Sequence, residues 1–315
     1  METDRSNESR ALPDGRPAPD TIGGTPPEGP SAPAPTAPPL VVVIPANDES
    51  AWIEACLAAL AAQDAAAGPL EVVVSANACT DDTAARARGM APAFAARGGG
   101  LRVIDSPAPG KTAALDRAEA ALAGRLRAAP RVYLDADVRC DAALMGQLRA
   151  ALDTAAPRYA TGTLAIAPAR SAATRAYARV WARTPFVRGG AVGAGLFAVN
   201  AAGRARWGDF PDIISDDTFV RLNFAPHERV EVPARYHWPM VEGLGALVRV
   251  RRRQDTGVRQ IAARWPGLMG NEGKGRWPRA DLARLALADP LGVAAYGWVH
   301  LATRLRRSDA WSRGR

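Results

Sequence analysis

The sequence predicts an α/β protein built on a mostly parallel, doubly wound sheet flanked by helices. Two observations carry this. Short, wholly apolar, β-branched runs alternate with segments of helical periodicity over the first hundred folded residues, and polar residues gather where those runs end. In such sheets ligands bind outside the carboxyl ends of the strands, so the same pattern predicts where a site lies.

The elements follow in order. LVVVI, residues 40–44, has the composition of a strand buried on both faces. SAWIEACLAAL reads as a helix capped by Ser50, with Ile53, Cys56, Leu57 and Leu60 on one side. LEVVVS is a strand, TDDTAARARG a helix begun at Thr80 or Asp81 and stopped at Gly89, and LRVI a strand. GKTAALDRAEAALAGRLRAA reads as one helix and RVYLD as the fourth strand. Beyond it, YATGTLAIA, GAGLFAVN and RVEVPA read as strands. SAATRAYARVWARTPF, SDDTFVRLNF and the segment 244–265 read as helices, and Asp141 is expected to cap the helix in AALMGQLRAAL.

Bulk properties limit the alternatives. The chain has 315 residues, of which 48% are hydrophobic, enough for a sizeable core. Residues 1–39 hold ten of the 26 prolines and little to bury, and are expected to form a disordered tail. That tail lacks the basic and apolar regions of a secretory signal, so the folded part is expected in the cytoplasm. Three cysteines without C-x-x-C spacing suggest neither a disulfide framework nor a zinc site. Residues 249–315 carry 15 Lys/Arg against 5 Asp/Glu, a basic region that implies an anionic partner. No aromatic-basic interleaving points to nucleic acid.

The fourth strand ends in D-A-D. Asp135 and Asp137, two residues apart in extended backbone, project to one side, and their mutual repulsion calls for a cation. A lone acid after a strand more often caps a turn; two of them at a ligand rim favour a site.

With these segments in place, VVVIPANDES, VVVSANACTDDT, GKTAALDRA, YLDADV and DIISDDTFVR resemble, in order and spacing, the family-2 inverting glycosyltransferases of GT-A type, from about Leu40 to Gln260. The resemblance implies a GT-A, Rossmann-like mixed sheet in a domain over residues 40–280; by its own apolar spacing and arginines the remainder, 281–315, reads as a basic amphipathic helix or tail. It implies a metal-dependent transfer of sugar from a nucleotide-diphospho-sugar, aided by a divalent cation, Mg2+ or Mn2+. Pro45, Ala46 and Glu49 fall in the first nucleotide-binding loop. Asn77 stands where the family usually has a base-reading Asp. Lys111 matches the cation near the diphosphate, Asp135 the ribose-side acid and Asp137 the metal ligand. Asp217 matches the general base, with Asp216 as the alternative. His237 is a candidate to complete the metal shell.

Three further expectations concern surroundings. Gly193 and Gly195 either admit a sugar or relieve packing, and Trp207, Phe210 and Pro211 stand near the acceptor or in the core. One or more of Arg251, Arg252 and Arg253 is expected to neutralise diphosphate, near QIAARW, one residue longer than the Q-x-x-R-W of processive relatives. The expected partners are a nucleotide-sugar donor, a carbohydrate or lipid-linked acceptor and an anionic membrane touched by LGVAAYGWVHLATRLRR; envelope or exopolysaccharide synthesis is the implied context. Competing readings are a noncatalytic nucleotide-binding subunit and a sugar nucleotidylyltransferase. The latter needs a Gly-rich basic loop after the first strand, which PANDES is not.

Overall fold

A computed structural model describes residues 39–273, 275 and 277–305. The proline-rich segment, apart from Pro39, and the last ten residues lie outside the described residues.

The first half follows the predicted alternation. Strand β1 (Leu40–Ala46) leads through helix α1 (Ile53–Ala61) to β2 (Leu70–Asn77). Helices α2 (Thr83–Gly89) and α3 (Ala91–Ala95) then lead to β3 (Gly100–Ser106), and α4 (Lys111–Ala120) leads to β4 (Arg131–Leu134). β1 pairs in parallel with both β2 and β4, and β3 extends the sheet beyond β2. Alternate residues of β1 serve opposite faces. Val42 and Ile44 pack against Ile53, Leu57 and Leu60 of α1, while Val41 and Val43 belong to the cluster holding Leu115 and Ala118 of α4. Complete burial of Leu40 to Ile44 makes this strand the spine of the domain, each such side chain contributing about 1.5–3 kcal/mol.

After β4 the chain runs through β5 (Arg139–Cys140), α5 (Leu144–Leu152), β6 (Tyr159–Ile166), α6 (Ala172–Trp181) and α7 (Pro185–Arg188). It continues with β7 (Leu196–Val199), α8 (Ala201–Arg204), α9 (Asp216–Leu222) and β8 (Arg229–Trp238). The helices α10 (Leu244–Arg264), α11 (Arg279–Ala288) and α12 (Pro290–Leu305) follow. The strand order is β3-β2-β1-β4-β7-β6-β8-β5, with β7 antiparallel to both β4 and β6 and β5 antiparallel to β8. The sheet is therefore mixed, and its hand-over from parallel to antiparallel pairing falls at β4, the strand that ends in the two aspartates.

Several local expectations need correction. Ser50 does not cap α1: Trp52 takes the cap position, and the Ser50 backbone N–H donates to Asp81 Oδ2. Asp141 does not cap α5 with its side chain, which pairs with His237 instead. The segment 110–129 is α4 followed by a separate 3-10 turn, Gly124–Ala128, with Gly124 at φ 53. The segment 171–186 is broken as well, because Thr184 accepts a hydrogen bond from the Val187 N–H and Pro185 opens α7. For Trp207 and Phe210 the structure selects the core alternative, packed with Tyr133 and Phe224.

A third apolar cluster joins α6, α10 and α12. It contains Tyr177, Ala178, Met240, Leu247, Val248 and Val299. A two-pronged ion pair between Arg179 and Asp289, at 2.7 and 2.8 Å, fastens the start of α12 to α6.

Candidate active site

The two aspartates stand in a turn rather than in extended strand. β4 stops at Leu134, and the Val138 N–H donates to the Asp135 carbonyl at 3.1 Å. Ala136 and Val138 are buried beneath, so Asp135 and Asp137 emerge on the other side and line one open cleft of about 240 Å³. The Asp135 N–H donates to the Gly195 carbonyl at 2.9 Å, which ties this turn to the loop before β7. Gly193 and Gly195 have φ of 72 and 74, in the left-handed region, and a Cβ at Gly195 would lie 2.6 Å from the Trp238 ring. Packing and backbone geometry account for both glycines, while Gly195 also lines the cleft.

Lys111 opens α4 behind Gly110, a place where a cation opposes the helix dipole. Two carboxylates compensate: Nζ lies 2.9 Å from Asp135 Oδ1 and 3.3 Å from Asp216 Oδ2. Burial alone would lower the ammonium's pKa, but Asp135, Asp216 and Asp217 hold it well above the usual lysine range. Asp216 is 4% exposed, and burial pushes its carboxyl up to about 6 against the pull of Lys111. Asp217, next along the first turn of α9, lines the cleft. The pair thus divides: Asp216 faces inward onto the lysine and Asp217 faces the open space.

Helix α10 closes the site from one side. Leu247, Val250, Arg251, Arg253 and Gln254 line the cleft, whereas Arg252 turns away to donate to the Ala302 carbonyl of α12. Arg251 is also paired with Asp255 at 2.8 Å. Farther along, Gln260 accepts from the Ile214 N–H at 3.0 Å and Trp265 packs on Phe219 at 4.9 Å. The two ends of QIAARW thus grip the segment that presents Asp217. The remaining wall is apolar, made by Tyr177, Trp181, Ile214, Trp238, Met240 and Val241. Its residues come from three separate stretches of chain, and only the aromatic pair Tyr177 and Trp181, at i and i+4, gives a local sequence signal.

Of the residues singled out from sequence, Lys111, Asp135, Asp137, Asp216 and Asp217 share this cleft, and Pro45 lines a recess that continues from it. Ala46 is buried at the end of β1, and Asn77 is buried at the end of β2. Glu49 is half-buried in the loop after β1, where its N–H donates to Thr83 Oγ1. That loop is laced to the one after β2: Asn47 Nδ2 donates to the carbonyls of Asn77 and Ala78, and Asp48 accepts from the Thr80 N–H. His237 stands apart. Its Nε2 pairs with Asp141 Oδ1 at 2.9 Å, and strand alternation turns it from the face on which Trp238 meets the cleft.

The profile of glycosyl transferase family 2 matches residues 41–202, just over half of the chain. The chain belongs to this family. It is a glycosyltransferase, and its mixed sheet is the GT-A fold. Among solved structures it resembles the mannosyltransferase PcManGT from Pyrobaculum calidifontis, crystallised with GDP-Man and Mn2+. The identity is 22%, the match covers 88% of this chain and 78% of that one, and the TM-score is 0.53. Residues 1–349 of S. aureus TarS in complex with UDP match at 13% identity, 87% and 94% coverage and a TM-score of 0.48. Glucosyl-3-phosphoglycerate synthase from Mycobacterium tuberculosis, with Mn2+, UDP and glucosyl-3-phosphoglycerate, matches at 20% identity, 72% and 79% coverage and a TM-score of 0.46. No curated protein matches the chain significantly in sequence.

Proposed function

We propose that this glycosyltransferase moves a sugar from a nucleotide-diphospho-sugar to an acceptor hydroxyl, with inversion at the anomeric carbon and with a divalent cation at Asp137. The observation that carries the reading is that Asp137 and Asp217 line one cleft, with Lys111 fixed between Asp135 and Asp216.

The residues fit a hard cation. Asp137 offers carboxylate oxygen beside Asp135, the donor type that Mg2+ or Mn2+ takes together with water and phosphate oxygens. Such an ion supplies Lewis-acid stabilisation of the departing diphosphate. His237 has no part in this reading, being engaged by Asp141. Pro45, Ala46, Glu49 and Asn77 shape the nucleotide end, where Pro45 adjoins the recess that Lys111 and Asp135 also line.

Negative charge grows on the leaving diphosphate as the bond to the sugar breaks. Lys111 and the guanidinium groups of Arg251 and Arg253 provide fixed positive charge around that position. Asp217 takes the proton of the attacking hydroxyl from the opposite side of the sugar, which gives inversion. Asp216 positions Lys111. The apolar wall suits an acceptor with an apolar portion, such as a lipid-linked precursor in envelope or exopolysaccharide synthesis at the cytoplasmic membrane face.

Thermal denaturation with a panel of nucleoside diphosphates, with and without Mn2+, tests the reading. At about a hundredfold excess over Kd a bound ligand adds roughly 2.7 kcal/mol, or about 5–10 °C. The expected shift requires the metal and disappears in Asp137→Ala. A shift independent of metal that persists in this variant overturns the placement.

A further inference from the structure

Helix α12 is apolar on two sides, and the domain uses only one. Gly292 and Val299 are buried, and Ala295, Tyr296 and Ala302 pack onto the cluster of Tyr177, Met240 and Leu247. The opposite side carries Leu291, Ala294, Trp298, Leu301 and Leu305, spaced 3, 4, 3 and 4 residues apart and all exposed. The four large side chains of this stripe are between 51 and 76% exposed. Single exposed leucines are ordinary on a protein surface, but a continuous stripe of them with a central tryptophan implies a covering partner.

We propose that this outer face of α12 docks the protein onto an anionic lipid bilayer. Charge decides between the occupants. From Pro290 to Arg307 the sequence has three arginines, Arg304, Arg306 and Arg307, and no acid. The ten residues after the described helix, RRSDAWSRGR, carry four arginines, one aspartate and a further tryptophan. The acids nearest the stripe, Asp281 of α11 and Asp289 at the head of α12, are already paired with Arg284 and Arg179, so a second copy offers these arginines no free carboxylate from either helix, whereas an anionic surface neutralises them while the acyl region receives Leu and Trp. No helix among the described residues is long and apolar enough to cross a membrane, so the contact lies in the interface plane. The placement also has a use, which rests on the function proposed above. Tyr177, Met240 and Leu247 pack against α12 on one side and line the cleft on the other, so a docked α12 lies directly behind the apolar acceptor wall.

Co-sedimentation of the full chain with vesicles tests this, comparing phosphatidylcholine alone with a mixture one-third phosphatidylglycerol. The expected result is binding to the anionic vesicles that weakens as salt is raised. Trp298→Asp with Leu301→Asp, both at exposed positions, reduces it roughly tenfold or more. Arg304→Glu reduces the anionic preference by about fivefold or more. The metal-dependent nucleoside-diphosphate shift, measured on the same preparations, stays unchanged in these variants and reports that they are folded. Unaltered vesicle binding by the double variant, or no binding by the parent chain, overturns the proposal. So does light scattering that finds a dimer split by the same substitutions in a chain that ignores vesicles, because the second copy is then the occupant. Vesicle binding without any nucleotide response would leave this inference standing and sink the proposed donor chemistry instead.

Discussion

Gly257 of α10 offers a sharp test of how Asp217, the proposed general base, is held. A Cβ there would lie 2.1 Å from Ser215 Oγ, 2.8 Å from its Cβ and 3.0 Å from its backbone nitrogen. The hydroxyl can rotate away; the Cβ and the nitrogen cannot. Ser215 immediately precedes Asp216 and Asp217, so restoring ordinary contact in Gly257→Ala displaces the start of α9 by up to about 1 Å. On stability two effects oppose each other. Overpacking costs about 1–3 kcal/mol, and replacing a mid-helix glycine by alanine returns about 1 kcal/mol. The melting temperature therefore drops by no more than several degrees. Catalysis has no such offset, and a 1 Å misplacement of a reacting group costs on the order of a hundredfold. The assay pairs turnover of whichever nucleotide-sugar stabilises the protein with the affinity for its nucleoside diphosphate. Turnover is expected to fall roughly tenfold to a hundredfold, with affinity within about twofold because Asp135 and Asp137 lie on another element. Adding Ser215→Ala, which removes the nearest clashing atom, recovers part of the loss. Parental turnover in a well-folded Gly257→Ala would show that α10 does not brace the base.

Two further outcomes follow from the pair at the start of α9. Asp217→Asn is expected to lower turnover by about 10²–10⁴ while leaving metal-dependent nucleoside-diphosphate binding in place; equal loss of both would remove Asp217 from the role of base. Asp216 has a folded pKa of about 6, above its ordinary carboxylate value near 3.8, so between those limits the folded chain binds more protons than the unfolded one. Stability from this group is thus lost as pH rises through that window, and Asp216→Asn lacks the effect. Melting curves from pH 4 to 7 should show the variant gaining on the parent as pH rises, and a constant difference would contradict the burial-raised carboxyl.

The parallel half of the sheet was legible because its strands are buried on both faces and appear as unbroken apolar runs, while its helices repeat at 3.6 residues. The D-A-D pair was legible for a similar reason: it ends such a run, and the neighbours Ala136 and Val138 fill the core positions. Beyond β4 the determinants become non-local. β5 has two residues and exists only because Arg139 and Cys140 meet His237 and Tyr236 of β8. Which way His237 points depends on the register between β6 and β8, which shifts between Gly162 and Thr163. No property of RYHWP itself encodes that shift. Ser50 and Asp141 failed as caps because each found a partner from a distant segment, an outcome that local propensity does not contain.

The cluster 251–253 shows how the unpredicted half completes the site. Sequence could not apportion the three arginines, yet helix geometry does. Leu247, Val250, Arg251 and Gln254 stand at i, i+3, i+4 and i+7 and form one stripe along the cleft. Arg252 lies about 100° away from Arg251 around the helix and reaches α12. Continuing the stripe by one turn arrives at Gly257, pressed on Ser215, and by another at Ile261 in the second core cluster. One helix therefore carries part of the apolar lining (Leu247 and Val250), the cations Arg251 and Arg253 of the cleft and the brace behind Asp217. Because its other side rests on α12, whatever covers the outer face of α12 bears on the support of all three.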